Sequence, residues 1–287
     1  MEIIHPKNFS CATIYKITKG EVDKIDFSLC NQPKETLEQF YKRQQQKPDI
    51  LFNGGFFCMN TGDTCFTFVD DYNVITIQQN LLEGIGIKNN SEIIIDKYNP
   101  SYRDFINGYP VLIKNGIPVT TTIGSEIDYK ARRTILGFDN NYIYVIIIEL
   151  PGYTFSTIKN LLLELKISNA INLDGGGSTR LLYKGQLQSK TTYSRPVDNV
   201  VAIYFKQKPT MIYRVQTGAF SNKENANRYL QTIRNIPDTI GAGYKNAYIR
   251  MIDNLYKVQV GAFSKKENAV KVLNDLVSKG YSAFIVN

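Results

Sequence analysis

Asp174 is followed by Gly175, Gly176, Gly177, Ser178, Thr179 and Arg180. A carboxylate beside three glycines and two hydroxyls can do acid–base or nucleophilic chemistry next to a bound anion. Glycines let backbone N–H groups approach a ligand and can form an anion-holding concavity, while Ser178, Thr179 and Arg180 would add hydroxyl and guanidinium donors. Three consecutive glycines are costly to order, which sets this stretch apart from an ordinary turn. Two further segments also lie at strand ends. Asn53-Gly54-Gly55-Phe56-Phe57 follows the strand-like residues 50–52, and Arg132-Arg133-Thr134 precedes the strand-like residues 135–138. Each segment also has a plain reading, because Asp-Gly and Asn-Gly are favoured hairpin pairs and paired arginines are commonly surface charge. On these residues alone both readings stay open.

The elements that must hold these groups are legible in outline. Ile158, Leu161, Leu162 and Leu165 recur at i, i+3, i+4 and i+7, which predicts a helix over 155–167. It leads into a strand over 169–173 whose end is Asp174. The longest apolar run, Tyr142 to Ile148, falls far short of the roughly 20 residues of a membrane helix and reads as a buried strand, so no membrane insertion is expected. The rest of residues 1–207 shows short strand-like runs separated by Gly, Asn and Pro. An α+β class follows, with an N-terminal mixed, mostly antiparallel sheet domain carrying few helices.

A chain of 287 residues predicts two domains. A hydrophobic share of 43% and a charged share of 21% exclude the disordered and fibrous classes. The net charge of +8 favours anionic partners: nucleic acid, an anionic lipid surface, or a phosphate-bearing wall polymer. Met1 to Lys7 shows no charged segment leading into an apolar one, so no secretory signal is visible. Action at a cell wall would then need release by lysis, a holin or another route. Cys11, Cys30, Cys58 and Cys65 allow three pairings, with Cys58 and Cys65 close enough in sequence for a bridge. With no export signal, free buried thiols are the expectation. The single histidine, His5, removes most Ser/His/Asp schemes, and no spacing fits a zinc site, so no metal and no cofactor are expected.

A repeat ends the chain. Tyr213-Arg-Val-Gln-Thr-Gly-Ala-Phe-Ser-Asn-Lys-Glu-Asn-Ala recurs as Tyr256-Lys-Val-Gln-Val-Gly-Ala-Phe-Ser-Lys-Lys-Glu-Asn-Ala. Each copy begins with strand-like alternation and passes into Ser-x-x-Glu, Ser221 with Glu224 and Ser264 with Glu267, which predicts two capping boxes. Apolar residues at helical spacing follow. With strands at 247–252 and 281–286 the unit reads βαββαβ, its helices on one sheet face. The open face would present Arg214, Gln216, Lys257 and Gln259, either as a polar, cationic platform or as solvated outward residues. Aromatic stacking residues expected of an RNA-binding βαββαβ module are not evident on the central strands, so no nucleic-acid partner is expected.

Residues 211–287 resemble a SPOR domain, and the two Val-Gln-x-Gly-Ala-Phe segments at 215–220 and 258–263 carry the likeness. The resemblance implies an RNA-recognition-like fold that binds bacterial peptidoglycan, especially glycan strands stripped of stem peptides. It makes 208–287 the wall-binding domain and assigns the glycan to Arg214, Gln216, Lys257 and Gln259.

Residues 50–205 resemble the phosphodiester glycosidase family. The likeness rests on Asn53-Gly-Gly-Phe-Phe with Met59-Asn60-x-Gly62, Leu112-Ile-Lys-Asn-Gly116, Arg133-Thr134 with Gly137, Ala170-Ile-Asn-Leu-Asp-Gly-Gly-Gly-Ser178, and Arg195-Pro196. It implies a catalytic domain over 1–207 that cleaves a sugar C1–O bond to phosphate. Asp174 would be the nucleophile or the base that activates water, and Arg133 and Arg195 would hold the phosphate, which leaves as a stable anion and needs cationic clamping more than protonation. Asn53 and the amides of Gly54, Gly55, Gly175, Gly176 and Gly177, with Ser178 and Thr179, would position the sugar or the oxyanion. Where the family carries an aspartate with glycine after a strand, this chain reads Glu149-Leu-Pro-Gly152, so Glu149 takes the second carboxylate's place with a longer side chain. Asp63 and Asp128 are weaker candidates.

Joined, the halves imply a hydrolase concentrated on its substrate by a wall anchor. The expected substrate is a sugar-1-phosphodiester in a peptidoglycan-linked polymer, such as the linkage unit of teichoic acid. Two alternatives stand beside it: a peptidoglycan glycan-strand hydrolase of the phage or spore lysin kind, and a non-catalytic wall-binding protein.

Overall fold

The structure is a computed structural model that describes residues 1–31, 34–58, 64, 66–77, 83–88, 92–120, 127–190, 194–207 and 211–287. The chain divides into two compact units, Met1–Gln207 and Lys208–Asn287.

Among the described residues, the first unit is built on three sheets. A seven-stranded sheet runs in the order Glu2–Ile4, Ala12–Thr18, Tyr142–Tyr153, Ala131–Phe138, Asn169–Asn172, Val111–Lys114, Ile117–Pro118. A five-stranded sheet runs Gln186–Leu187, Leu181–Tyr183, Ile50–Asn53, Asn199–Phe205, Val22–Leu29, and a second runs Asn73–Thr76, Phe68–Asp70, Asp104–Asn107, Gly84–Ile87, Ile93–Asp96. The ladders between these strands are antiparallel, as in the expected class.

One core joins all three sheets, with Ile17, Val145 and Ile147 from the first, Phe27, Phe52 and Val201 from the second, and Ile85 and Ile106 from the third. Helix α1 (Leu37–Arg43) covers the outer face of the first five-stranded sheet through Leu37 and Phe40. Helix α2 (Phe155–Glu164) covers the outer face of the seven-stranded sheet with Phe155, Ile158, Leu161 and Leu162. Burying each of those four is worth about 2 kcal/mol, which outweighs the marginal stability of so short a helix alone. Thr154 caps α2 by accepting from the Thr157 amide. It ends three residues before the expected limit because Lys166 turns left-handed at φ 56°. The Tyr142 run is a central strand, with Val145, Ile146 and Ile148 fully buried.

The strand pair that carries the two arginines has a break in register. Arg133 pairs with Ile148 but Ala131 pairs with Tyr153, so residues 149–152 bulge out of the ladder. Such irregularities re-aim side chains locally; here Arg132 and Arg133 leave on opposite errands.

The second unit has the βαββαβ order, its four strands arranged Tyr248–Ile252, Leu255–Phe263, Tyr213–Phe220, Phe284–Val286. The repeats pair with each other at the centre, Val215 opposite Val260 and Gln216 opposite Gln259. Helices α3 (Lys223–Arg234) and α4 (Lys266–Ser278) bury Ala226, Leu230, Ala269 and Val272 against Val215, Val258 and Val260. The expected serine capping boxes do not form. Asn222, one residue past Ser221, caps α3 by accepting from the Glu224 and Asn225 amides at 2.8 and 3.2 Å. The equivalent place before α4 is Lys265, whose side chain has no oxygen to cap with.

Cys11 and Cys30 are free and buried, but Cys58 is disulfide-bonded, contrary to the expectation of four thiols. Phe57, next to it, forms an isolated antiparallel bridge with Thr64. Cys65, the remaining cysteine, lies outside the described residues.

Candidate active site

Asn53 ties the strand ends together. It is fully buried at the end of its strand, and its Nδ2 donates to the Asp174 carbonyl at 2.7 Å. Its Oδ1 accepts from the Thr134 hydroxyl at 2.8 Å and from the Arg180 amide at 3.2 Å. One side chain therefore joins all three segments that the sequence singles out. This use leaves its amide internal, so Asn53 positions the site from beneath. The two glycines after it are spent likewise. The Gly54 amide donates to the Asn199 carbonyl and the Gly55 amide to Asn199 Oδ1 at 2.7 Å. A Cβ on Gly54 would come within 2.1 Å of Asn199 Oδ1, so the glycine is there for backbone packing.

Asp174 lies just past the end of strand Asn169–Asn172, half-buried. Its Oδ1 accepts from the Gly175 amide at 2.9 Å. Burial pushes its carboxyl above the ordinary aspartate value, opposed by the Ser178 hydroxyl, the Gly175 amide and the Arg195 guanidinium. The Ser178 oxygen is itself buried without a well-formed hydrogen bond, so it acts on Asp174 as a nearby dipole. Gly176–Ser178 form a single 3₁₀ turn with Gly176 left-handed at φ 56°. Gly176 and Gly177 are exposed, and their amides have no partner among the described residues.

The turn sits between two arginines. A Cβ on Gly175 would lie 3.6 Å from Arg133 Cδ, and one on Gly177 would lie 3.3 Å from Arg195 Cδ. Arg195 also lies over the Phe57 ring at 5.0 Å. Arg133 is buried, makes no ion pair among the described residues, and rests over the Phe155 ring at 4.3 Å. Desolvation lowers its pKa, offset by Tyr129 and Asp128.

Glu149 is not beside Asp174's turn as a free carboxylate. It accepts from Arg132 Nε at 2.8 Å and from the Lys190 amide at 2.7 Å, and it lines a separate cavity with His5, Tyr15 and Lys190. Arg132 in turn donates from Nη1 to the Gly176 carbonyl at 3.2 Å and from Nη2 to the Thr179 carbonyl at 2.6 Å. Arg180, expected to offer its guanidinium to an anion, is held by Glu38 of α1, whose other oxygen takes the Ser194 hydroxyl. Thr179 is fully buried. Asp128 accepts from the Phe155 amide at 2.7 Å at the start of α2. Asp63 lies outside the described residues.

Three residues that sequence reasoning passed over matter to this arrangement. Asn199 and Asp198 brace the Asn53 segment, with Thr64 and Asn199 both donating to Asp198. Asn172, two residues before Asp174, faces a cavity beside Arg133. Polar residues inside an otherwise apolar strand were the available signal.

Residues 47–204 match the phosphodiester glycosidase family over more than half the chain. The chain belongs to that family. Residues 211–287 match the SPOR domain. Human N-acetylglucosamine-1-phosphodiester alpha-N-acetylglucosaminidase is 28% identical over 169 residues, 49% of this chain and 33% of that protein. The phosphodiester glycosidase chain described here thus spans about a third of the length of the curated relatives it matches. The zebrafish catalytic domain of that enzyme, solved auto-inhibited by its pro-peptide, shares the fold at TM-score 0.58 and 17% identity, covering 71% of this chain and 81% of that one. The peptidoglycan-binding domain of the Bacillus subtilis cell wall lytic enzyme CwlC is 32% identical over 28% of this chain and 94% of its own, with a TM-score of 0.23.

On the second unit's sheet, the face opposite the helices differs from the expected array of outward residues. Gln216 and Gln259 are 6% and 1% exposed and lie side by side, and Arg214 donates from Nε to the Tyr248 hydroxyl at 3.1 Å. Tyr248 pairs with Gln259, and Phe284, 55% exposed, pairs with Gln216. Lys257 is engaged by Asp253 at 3.1 Å. Gln259 Oε1 is buried without a partner.

Proposed function

We propose that the protein is a wall-anchored glycosidase that hydrolyses sugar-1-phosphodiesters in peptidoglycan-linked polymers, with the teichoic acid linkage unit as the first substrate to test. One observation carries this reading: a carboxylate raised by burial stands at a glycine turn flanked by two guanidinium groups from distant parts of the chain. A raised pKa makes the ionised carboxylate a better nucleophile or base once formed. Asp174 attacks the anomeric carbon or draws a proton from water that does. Arg195 and the amides of the exposed Gly176 and Gly177 take up the charge of the departing phosphate. Glu149 acts only through Arg132, which holds the turn by two carbonyls, so it is a positioning residue. No group in this scheme calls for a metal.

The SPOR match supports anchoring on peptidoglycan and so a place at the cell wall. Incubating purified walls with the full chain tests the whole reading. Phosphate-bearing polymer is released by the wild type and not by Asp174→Asn. Intact polymer after exhaustive incubation refutes it, and solubilised glycan from walls free of such polymer makes the protein a glycan-strand hydrolase instead.

A further inference from the structure

A cavity of about 170 Å³ lies against Glu149, the carboxylate that Arg132 joins to the glycine turn. His5, Thr13, Tyr15, Glu149, Gln188 and Lys190 give it a polar lining. Tyr15 is 2% exposed, yet its hydroxyl has no hydrogen bond among the described residues. Buried hydroxyls are nearly always paired. Burial first, and then the Glu149 charge, pushes this phenol up to about 12, so it meets the cavity as a neutral donor. Glu149 has capacity to spare as well. Its Oε2 accepts from Arg132 Nε and its Oε1 from the Lys190 amide, one bond on each oxygen, where a carboxylate can accept about four. Thr13 Oγ1 and His5 Nδ1 stand 3.5 Å apart, which leaves the other ring nitrogen of His5 without a partner among the described residues.

The occupant must therefore accept from a phenol and donate to a carboxylate within one small space. A phosphate or carboxylate would be set against the Glu149 charge. A cation would meet Lys190 and the Arg132 guanidinium that already neutralises Glu149. An apolar group would leave the buried polar atoms unsatisfied. A neutral molecule with several hydroxyls fits, because each hydroxyl both donates and accepts, and its carbons can lie along Ile3 and Ile147. The space equals that of roughly five or six waters at about 30 Å³ each, which suits a chain of about three to five carbons.

We propose that this cavity is a binding site for a small neutral polyol, held between the Tyr15 hydroxyl and the Glu149 carboxylate and tied by Arg132 to the glycine turn. Two sources would present that chemistry: the next unit of the polymer being cut, or a free polyol. The strand of Glu149 lies two places from strand Asn169–Asn172, which leads to Asp174, in the same sheet. At the usual strand spacing that is about 10 Å. The four bonds C1–O–P–O–C reach about 5 Å by the measure of a peptide chain, and a five-carbon polyol spans the rest. The binding itself does not depend on the role given to Asp174.

Calorimetry on the full chain tests the site with ribitol against 1,5-pentanediol, which keeps the carbon chain and its terminal hydroxyls and lacks the inner ones. Ribitol binds, and the diol binds at least about tenfold more weakly, as expected when buried polar groups lose their partners. Tyr15→Phe, which removes only an unpaired hydroxyl, weakens ribitol about tenfold at an unchanged Tm. Thr13→Val, which keeps the strand ladder, weakens it too. No heat from ribitol, equal affinity for the diol, or full affinity in a folded variant overturns the proposal. Turnover then separates the sources. If the site holds the substrate's own next unit, α-N-acetylglucosamine 1-(ribitol 5-phosphate) exceeds the 1-(methyl phosphate) by about tenfold in kcat/KM, and Tyr15→Phe removes that lead. If free ribitol instead changes the rate on the methyl ester, the site is an effector seat, and the proposal stands. Esters turned over alike and indifferent to free ribitol overturn it, because nothing then ties the cavity to the turn. If neither ester is cleaved, the reading of Asp174 fails by itself, and the calorimetry still decides the cavity.

Discussion

Arg132 couples Glu149 to the glycine turn: its Nε meets the Glu149 carboxylate at 2.8 Å while its other nitrogens hold the carbonyls of Gly176 and Thr179. The two side chains are 10% and 8% exposed. Removing one partner of a buried pair leaves an uncompensated charge, at about 3 kcal/mol. Glu149→Ala is expected to lower the Tm of the first unit by roughly 10 °C, and Glu149→Gln, which keeps an acceptor for the Lys190 amide, by less. The Gln variant loses kcat because the turn loosens, yet its pH–rate profile keeps both limbs. A profile that loses its basic limb at unchanged Tm would make Glu149 the catalytic acid.

With Asp174 as the proposed nucleophile or base, its ionisation is expected to set the acid limb of that profile. Burial raises its pKa above 3.8, and Arg195 opposes the rise by favouring the charged form. Taking the cation away therefore raises the carboxyl further. In Arg195→Gln the acid limb of kcat/KM moves to higher pH, together with a drop of about 10²-fold or more from the lost phosphate contact. Rates measured from pH 4 to 8 check this, and a limb that stays put or moves down contradicts it.

Asp70 gives the fold its own pH dependence. Its pKa is pushed up to about 6 by burial first, then by Asp104, with smaller contributions from Asp26 and Asp71 against the pull of the Leu29 amide. The folded state thus binds its proton more tightly than the unfolded chain. The resulting stabilisation is whole below pH 3.8 and is lost as pH rises through about 6. Partial exposure reduces the effect to on the order of 1 kcal/mol. Asp70→Asn, neutral throughout, is expected to flatten the fall in stability between pH 4 and 7, as read by chemical denaturation.

The elements and the position of the glycine turn were readable because local pattern determines them: the Leu161 periodicity, the glycine run after Asp174, the repeated strand of the SPOR unit. Helix α1 carried its own signal, Thr36 with Gln39 in a capping box. What sequence did not reveal were the partners. Whether Arg180 faces an anion or Glu38, and whether Glu149 faces the sugar or Arg132, depends on strands brought together from more than a hundred residues apart or on a local bulge. Spacing along one strand carries no information about either.

The SPOR sheet offers the clearest separation of binding from folding. Phe284 is 55% exposed beside buried Gln216, so its removal leaves the core of Val215, Val258 and Val260 intact. An exposed ring next to amides and the Arg214–Tyr248 pair is suited to the face of a pyranose. Phe284→Ala in the full chain is expected to weaken co-sedimentation with isolated sacculi about tenfold, or 1.4 kcal/mol, at an unchanged Tm. Arg214→Ala should cost more, because it removes a cation from the sheet and frees Tyr248, whereas Lys257→Ala, whose charge is already engaged by Asp253, should cost little. Uniform retention across these three variants would place the glycan elsewhere on the unit. If the same variants also slow polymer release from walls while leaving turnover of a soluble phosphodiester untouched, the anchor acts by raising local concentration rather than by shaping the site.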